Sequence, residues 1–281
     1  MTVYSRTVGI IRKIIVILLI ALLASVICWP ASARDVKVSG SSTVMPLAEA
    51  AAEEFNILQK DYAVTVSAGG TGAGILGIAE RKNDIAMASR ELTEAERQRF
   101  GDSFEEFLVG LDGICLAVSD EIFRAGVKGL SRQQVEDIYS GNITNWKEVG
   151  GPDKDIYVIA REQGSGTRDT FNEVVLGRGD AETPGIDTVA MGGAEVKTAI
   201  SGSDRAIGYL GFNYLGGDVE GIAFNGVVPA YENIKLDFYE LHRHLYFYTF
   251  GPPSAGAQAF IDYVQGPEGQ RIAAEEGFIP I

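Results

Sequence analysis

Short apolar stretches alternate with glycine-, serine- and threonine-rich turns and with helical patterns along this chain. Candidate strands lie at residues 36–40, 63–68, 84–89 and 156–161, and each is followed by a polar turn and then by a stretch with helical patterning. Strands that alternate with helices in this way indicate an α/β fold with mainly parallel sheets. In such sheets, ligands bind at the carboxyl ends of the strands, where these turns would lie.

The middle of the chain has a different character. Residues 130–155 are polar and rich in turns, and they lie between apolar strands. This contrast predicts two lobes. We expect the first lobe to contain residues 34–112 and 245–281, and the second to contain residues 113–244, with the chain crossing between them at both boundaries.

The first 33 residues have the pattern of a secretory signal peptide. Three basic residues precede the apolar run Ile14–Ile27, and small residues follow up to Ala33. The run of 14 residues is shorter than the roughly 20 that a spanning helix needs. We therefore expect cleavage after Ala33 and a protein exported to the periplasm or cell surface, with a retained anchor as the alternative.

The charge and cysteine content exclude several classes of function. The chain has 24 basic and 38 acidic residues, and without the three basic residues of the leader its net charge falls from −14 to −17. Nucleic acid is therefore not an expected partner. Beyond the leader the chain keeps one cysteine, Cys115, inside an apolar stretch, which predicts a buried, unreactive thiol. His242 and His244 alone cannot form a zinc site, so we expect neither a metal nor a cofactor.

Three turns share a composition that suits an anion. They are Ser41-Ser42-Thr43, Gly70-Thr71-Gly72 and Ser165-Gly166-Thr167, and each lies where a helix is predicted to begin. The start of a helix has backbone N–H groups without intrahelical partners and a partial positive charge. Arg161, just ahead of the third turn, adds a guanidinium that can bind two oxygens at once.

Each of these turns also has an ordinary interpretation. Serine and threonine at a helix start are usually N-caps, and Arg168 and Asp169 can form surface contacts. The Gly70 turn matches neither the dinucleotide fingerprint nor the P-loop. A serine hydrolase with Ser165 as nucleophile is a further alternative, but the outer glycines of a nucleophile elbow and a nearby base are missing from the sequence. The prediction of an anion site depends on the three turns and Arg161 occurring together.

Several segments resemble a known family. They are SGSSTVMPLAE, GGTGAGI, DIAMASREL, IYSGNITNWKEVGG, REQGSGTRDTF, RAIGYLGF and GPEGQRIAAEEGFIP. With these segments the chain resembles the phosphate-binding proteins of ABC-type phosphate importers, within the two-lobed extracytoplasmic solute-binding superfamily. The resemblance implies a type II periplasmic-binding-protein-like α/β fold, with phosphate held in the cleft between two lobes. It also implies a membrane permease and an ATPase as partners, and we expect the protein to be a monomer.

The resemblance also implies a set of ligand contacts. Carried over by position, they are Thr43, the amide of Val44, Thr71, Ser89, Arg161, Ser165, the amide of Gly166, and Thr167. Ser42 and Arg90 are added because they neighbour these positions.

One position departs from the family pattern. Several members have an aspartate where Ser89 stands at the end of the third strand. Phosphate keeps a proton at neutral pH, so a carboxylate acceptor favours it over fully ionised sulfate, whereas a hydroxyl penalises sulfate less. Sulfate and molybdate therefore remain alternative ligands, and a sensor that reports to a membrane receptor is an alternative to a transport component.

Overall fold

The computed structural model describes residues 33–101 and 103–281. The predicted signal peptide therefore lies, except for Ala33, outside the described residues. Within the described part of the chain, no helix is both long and apolar enough to cross a membrane.

The strands and helices alternate as the sequence predicts. The strands are β1 (Arg34–Gly40), β2 (Tyr62–Ala68), β3 (Ile85–Ala88), β4 (Phe104–Ser119), β5 (Gly129–Leu130), β6 (Tyr157–Arg161), β7 (Thr188–Ala190), β8 (Ala206–Gly211), β9 (Val219–Gly221), β10 (Ala223–Phe224) and β11 (His242–Phe250). The α-helices are α1 (Met45–Leu58), α2 (Thr71–Ala79), α3 (Glu94–Phe100), α4 (Asp120–Arg124), α5 (Arg132–Tyr139), α6 (Gly166–Leu176), α7 (Gly193–Ser201), α8 (Tyr231–Lys235), α9 (Ala255–Gln265) and α10 (Pro267–Glu275).

Two helices begin within the predicted turns, ahead of the recognisable helical pattern. Helical patterning becomes clear only from Ile75 and Asp169, but α2 begins at Thr71 and α6 at Gly166. Glycine-rich first turns hide the start of a helix, because glycine has low helix propensity. The consequence is that Thr71 and Gly166 lie in the first turns of their helices.

Two long strands divide the main sheet. The strand order is β2-β1-β3-β11-β4-β8-β6-β7, with β9 also paired to β4. Parallel pairs occur on both sides, between β1 and β3 and between β6 and its neighbours β7 and β8. In the centre, β11 pairs antiparallel with both β3 and β4. The parallel portions of the sheet are therefore joined by the antiparallel strands β4 and β11.

The hydrophobic core is divided in the same way. One large cluster draws its buried residues from positions 36–109 and 245–278, and the other from positions 114–241 together with Ile279. A smaller cluster accompanies each of them on the same part of the sheet. Parallel strands covered by helices read as continuous apolar runs, and the fully buried strands β3 and β8 have this pattern.

Cys115 lies in β4, and the two histidines lie at the start of β11. Cys115 is buried in β4, where burial raises the pKa of its thiol well above the usual value. Nδ1 of His242 lies 2.8 Å from the carbonyl oxygen of Tyr239, and Nε2 lies 3.2 Å from Asp237. The side chain of His244 is exposed.

Candidate anion-binding site

The three turns singled out in the sequence converge in space. One follows β1 and precedes α1, the second links β2 to α2, and the third links β6 to α6. Their hydroxyl-bearing residues are buried despite being polar. The buried residues of the turns are Ser41, Ser42, Thr43, Thr71, Ser165 and Thr167.

Contacts between the turns are direct. The hydroxyl oxygens of Thr43 and Thr167 lie 3.1 Å apart, although the residues are 124 positions apart in the chain. The amide of Gly72 donates a hydrogen bond of 3.2 Å to the carbonyl oxygen of Gly164. The turns after β1 and β2 therefore contact the start of α6. Strands β1 and β2 belong to the hydrophobic cluster at positions 36–109 and 245–278, whereas α6 belongs to the cluster at positions 114–241.

Gly166 lies very close to two buried hydroxyl groups. A β-carbon at this position would lie 2.6 Å from the hydroxyl oxygen of Ser89 and 2.7 Å from that of Thr71. These two hydroxyl oxygens are 3.4 Å apart, and that of Thr71 also accepts a hydrogen bond of 3.2 Å from the amide of Ser89. The glycine thus lets the first turn of α6 approach the hydroxyls at the ends of β2 and β3.

Helix capping accounts for the hydroxyl side chain at one of the three helix starts and does not account for those at the other two. The Ser165 hydroxyl accepts a hydrogen bond of 3.4 Å from the amide of Arg168, so it caps α6. The N-cap residues of α1 and α2 are Val44 and Gly70, and neither makes a side-chain capping bond. Gly70 has a φ angle of 86°, which favours glycine. The hydroxyls of Thr43 and Thr71 are therefore free of a capping role.

Arg161 reaches the centre of this group of hydroxyls. Its side chain is 2% exposed, and its Nη2 donates a hydrogen bond of 3.0 Å to the Ser42 hydroxyl. Its Nη1 lies 3.4 Å from the Thr167 hydroxyl. The Glu162 carboxylate accepts 2.8 Å bonds from Nε and Nη2, which fixes the plane of the guanidinium.

The backbone around Arg161 is held as well. Its amide donates a 3.1 Å hydrogen bond to the Tyr209 hydroxyl, and the Tyr209 ring stacks on Phe171 of α6 with centroids 4.0 Å apart. Burial raises the pKa of Tyr209 to about 12, so the phenol stays protonated near neutral pH. Arg168 donates a 3.0 Å bond to the carbonyl oxygen of Arg161 and contacts Thr183, so it supports this segment.

Arg90 lies next to this group, but carboxylates occupy its guanidinium. Its Nε donates a 2.7 Å bond to Asp169, and its other nitrogens bind Glu96 at 2.8 and 2.9 Å. Burial favours a higher pKa for Glu96, but the bonds from Arg90 outweigh it and hold this pKa below its usual value. Arg90 therefore joins the end of β3 to α6 by an ion pair.

The structure adds two charged residues that sequence reasoning missed. Arg243 of β11 is 5% exposed and Asp112 of β4 is 1% exposed. Nη2 of Arg243 lies 2.7 Å from the Asp112 carboxylate and 3.1 Å from the Thr43 hydroxyl. Burial raises the pKa of Asp112, and the positive charge of Arg243 opposes this shift. The signal for Asp112 was a charge inside the apolar part of β4, which is rare unless the charge is paired. Arg243 lies between two histidines at the start of β11 and gave no comparable signal.

Other kinds of site find little support among the residues that the structure describes. No group of three or more histidine, cysteine, aspartate or glutamate side chains is arranged to hold a metal ion in this part of the chain. The His242 ring contacts Tyr239 and Asp237, and the Ser165 hydroxyl accepts a hydrogen bond from the Arg168 amide. The converging turns carry hydroxyl and amide groups that can donate hydrogen bonds to a small anion.

Comparison with known proteins gives a consistent assignment. A family model described as the PBP superfamily domain matches residues 29–268. The phosphate-binding protein PstS of Bacillus subtilis is 32% identical over 247 residues, which cover 87% of this chain and 80% of that protein.

Solved structures extend the similarity to the fold. A Clostridium perfringens protein with bound phosphate, described as a phosphate ABC transporter substrate-binding protein, is 35% identical with a TM-score of 0.82, covering 88% of this chain and 100% of that one. An ABC-type phosphate transport receptor from Vibrio cholerae is 29% identical with a TM-score of 0.74, again covering 88% and 100%. The predicted two-lobed α/β fold and the resemblance in sequence are thereby confirmed, and the chain belongs to the PstS family of phosphate-binding proteins within the PBP superfamily.

Proposed function

We propose that this protein captures inorganic phosphate between two lobes outside the cytoplasm and delivers it to an ABC-type importer. The observation that carries this proposal is the convergence of three helix starts and the buried Arg161 on one small volume. Helix starts favour anions through their free N–H groups and their dipoles. The phosphate named for the B. subtilis, C. perfringens and V. cholerae proteins agrees with this chemistry.

We propose the lobe boundaries that the sequence predicts. Residues 34–112 and 245–281 would form the first lobe and residues 113–244 the second. The division of the hydrophobic core supports these limits, since the two large clusters separate between Val109 and Ile114 and between Leu241 and Leu245. Strands β4 and β11 would then be the two connections between the lobes.

Both lobes contribute to the proposed phosphate contacts. Ser42, Thr43, the amide of Val44, Thr71 and Ser89 come from the first lobe, and Arg161, Ser165, the amide of Gly166 and Thr167 come from the second. Arg90, also predicted as a ligand, is assigned a different role here. Because Asp169 and Glu96 occupy its guanidinium, we propose that it joins the closed lobes beside the phosphate.

Binding and closure are coupled in this arrangement. A phosphate between the lobes gains the full set of hydrogen bonds only when the lobes are shut, so phosphate shifts the equilibrium toward the closed form. We propose that the closed monomer docks on a membrane permease that an ATPase drives. We also propose that the leader is cleaved after Ala33 and that the protein has no catalytic activity.

Calorimetric titration of the purified protein tests the function. We expect phosphate to bind with a dissociation constant of micromolar or lower, because a handful of charge-assisted hydrogen bonds exceeds the roughly 8 kcal/mol that this affinity needs. Parallel titrations with sulfate and molybdate provide the comparison. Absence of phosphate binding, or tighter binding of either other anion, would contradict the proposal, and turnover of a chromogenic phosphate or acyl ester would favour a hydrolase.

Ser89 gives a test of anion selectivity. Its hydroxyl lies beside Thr71 and Gly166. Several family members have an aspartate at the position of Ser89. We expect Ser89→Asp to weaken sulfate binding about tenfold or more relative to phosphate, because only phosphate offers a proton to the new carboxylate. Competitive titration of both anions measures the ratio, with Ser89→Asn as an uncharged control of similar size. An equal loss for both anions would show that position 89 does not face the ligand.

A further inference from the structure

Arg243 has a buried guanidinium whose hydrogen-bond donors are not all satisfied within the part of the chain that the structure describes. Its guanidinium is buried, and Nε and Nη2 bind the Asp112 carboxylate at 3.2 and 2.7 Å. The remaining terminal nitrogen, Nη1, is buried without a hydrogen-bond partner among the described residues. A buried donor without a partner costs roughly 1–3 kcal/mol, and more when it is charged. The ion pair with Asp112 therefore does not account for the whole guanidinium.

The surroundings of Arg243 identify the kind of partner that would satisfy it. Nη2 also donates to the Thr43 hydroxyl, which in turn lies 3.1 Å from the Thr167 hydroxyl and so belongs to the group of hydroxyls around Arg161. The positive charge of Arg161 is close enough to help burial lower the pKa of Arg243. Two buried cations this close repel each other, and an anion that contacts both removes the repulsion.

The charge balance points to an oxyanion rather than a further side chain. Each arginine already has one carboxylate, Glu162 for Arg161 and Asp112 for Arg243. Both carboxylates already accept hydrogen bonds from an arginine, and the hydroxyl groups between the two guanidinium groups can also accept a proton that the ligand carries. A tetrahedral anion with several oxygens can accept from both guanidinium groups and from the hydroxyls between them.

We propose that Arg243 is the second arginine of the anion site. Its Nη1 donates a hydrogen bond to an oxygen of the bound phosphate, while its Nη2 orients the Thr43 hydroxyl toward the same ligand. Asp112 is a positioning residue that holds the guanidinium in place from β4. This inference rests on the proposed phosphate-binding function, and it adds a ligand from β11 that the three turns do not supply.

Titration of phosphate into two variants tests the inference. We expect Arg243→Gln to weaken phosphate binding by about 10- to 100-fold, as for the loss of one charged hydrogen bond. The double variant Arg243→Gln, Asp112→Asn removes the ion pair as a unit, so no unpaired buried charge remains to distort the fold. We expect its affinity to stay as low as that of Arg243→Gln. Arg124→Gln, whose side chain is 78% exposed, is the matched control.

The outcomes separate this inference from the function on which it rests. Wild-type affinity in Arg243→Gln, or its recovery in the double variant, would overturn the role of Arg243 and leave the function standing. Failure of the wild-type protein to bind phosphate would overturn both. If Arg243→Gln does not fold, the double variant and a crystal structure of the wild-type protein with phosphate show whether Arg243 contacts the ligand. A distance of about 2.7–3.2 Å from Nη1 to a phosphate oxygen is expected, and the absence of this contact would refute the inference.

Discussion

Replacement of Arg161 by alanine is expected to lower the affinity for phosphate about 100-fold or more. The Nη1 and Nη2 atoms of Arg161 contact Thr167 and Ser42, one from each proposed lobe. Two charge-assisted hydrogen bonds of roughly 1.5–3 kcal/mol each account for a loss of this size. The substitution also removes a full positive charge from among these hydroxyls. Calorimetry at constant ionic strength measures the change.

Two further variants show whether the loss of phosphate affinity comes from removal of the positive charge. Thr71→Ala removes a neutral hydroxyl from the same site, so we expect a smaller loss, of about tenfold. Arg124→Ala removes an exposed arginine from α4 and should bind phosphate like the wild-type protein. Thermal unfolding of each variant establishes that the fold is retained. Equal losses for Arg161→Ala and Thr71→Ala would show that Arg161 is not a ligand.

The parts of the site that could be predicted from sequence are those formed by neighbouring residues. A strand, a Gly/Ser/Thr turn and a helix follow one another within about ten residues, so the position of Thr43 or Ser165 at a helix start is a local property. Parallel strands bring such turns to one edge of a sheet. For this reason Ser42, Thr43, Thr71, Arg161, Ser165, Gly166 and Thr167 could be grouped before the structure was known.

The parts that could not be predicted depend on distant pairings. Arg243 contacts Thr43 across 200 positions and Asp112 across 131. Arg243 stands directly opposite Asp112 in the antiparallel pairing of β11 with β4. The register of paired strands is set by packing over the whole sheet. In the sequence, the charge of Arg243 indicates that the residue needs a partner if it is buried, but does not identify that partner. Likewise, the ion pair of Arg90 with Asp169 joins residues 79 positions apart.

The strongly acidic surface is compatible with an anion site. Exposed charges farther than about 10 Å are largely screened at physiological salt, while the helix starts and guanidinium groups adjoin the site directly. The partly buried carboxylate of Glu162 and the buried carboxylate of Asp112 are each bound by an arginine. Local hydrogen-bond donors therefore decide the preference for an anion, and the net charge of the chain has little influence on affinity.

Gly166 makes lobe closure itself testable. The first turn of α6 comes so close to the first proposed lobe that a β-carbon would fall within 2.7 Å of two buried hydroxyl oxygens and 3.2 Å from the stem of Arg90. The hydroxyls of Ser89 and Thr71 can rotate away from a single methyl group at position 166. A larger branched side chain leaves them no such space, and in an open form it would extend into the cleft without contacting the other lobe.

Gly166→Val is therefore expected to fold normally but to bind phosphate about 100-fold more weakly, because it blocks the closed state that supplies contacts from both lobes. Small-angle X-ray scattering should show that saturating phosphate reduces the radius of gyration of the wild-type protein and leaves that of the variant unchanged. Gly69→Ala is the control, since its β-carbon would meet only Ala73, at an ordinary contact distance of 3.7 Å. Wild-type affinity in Gly166→Val would mean that phosphate binds without the lobe contact seen at Gly166, and closure would then have no part in binding.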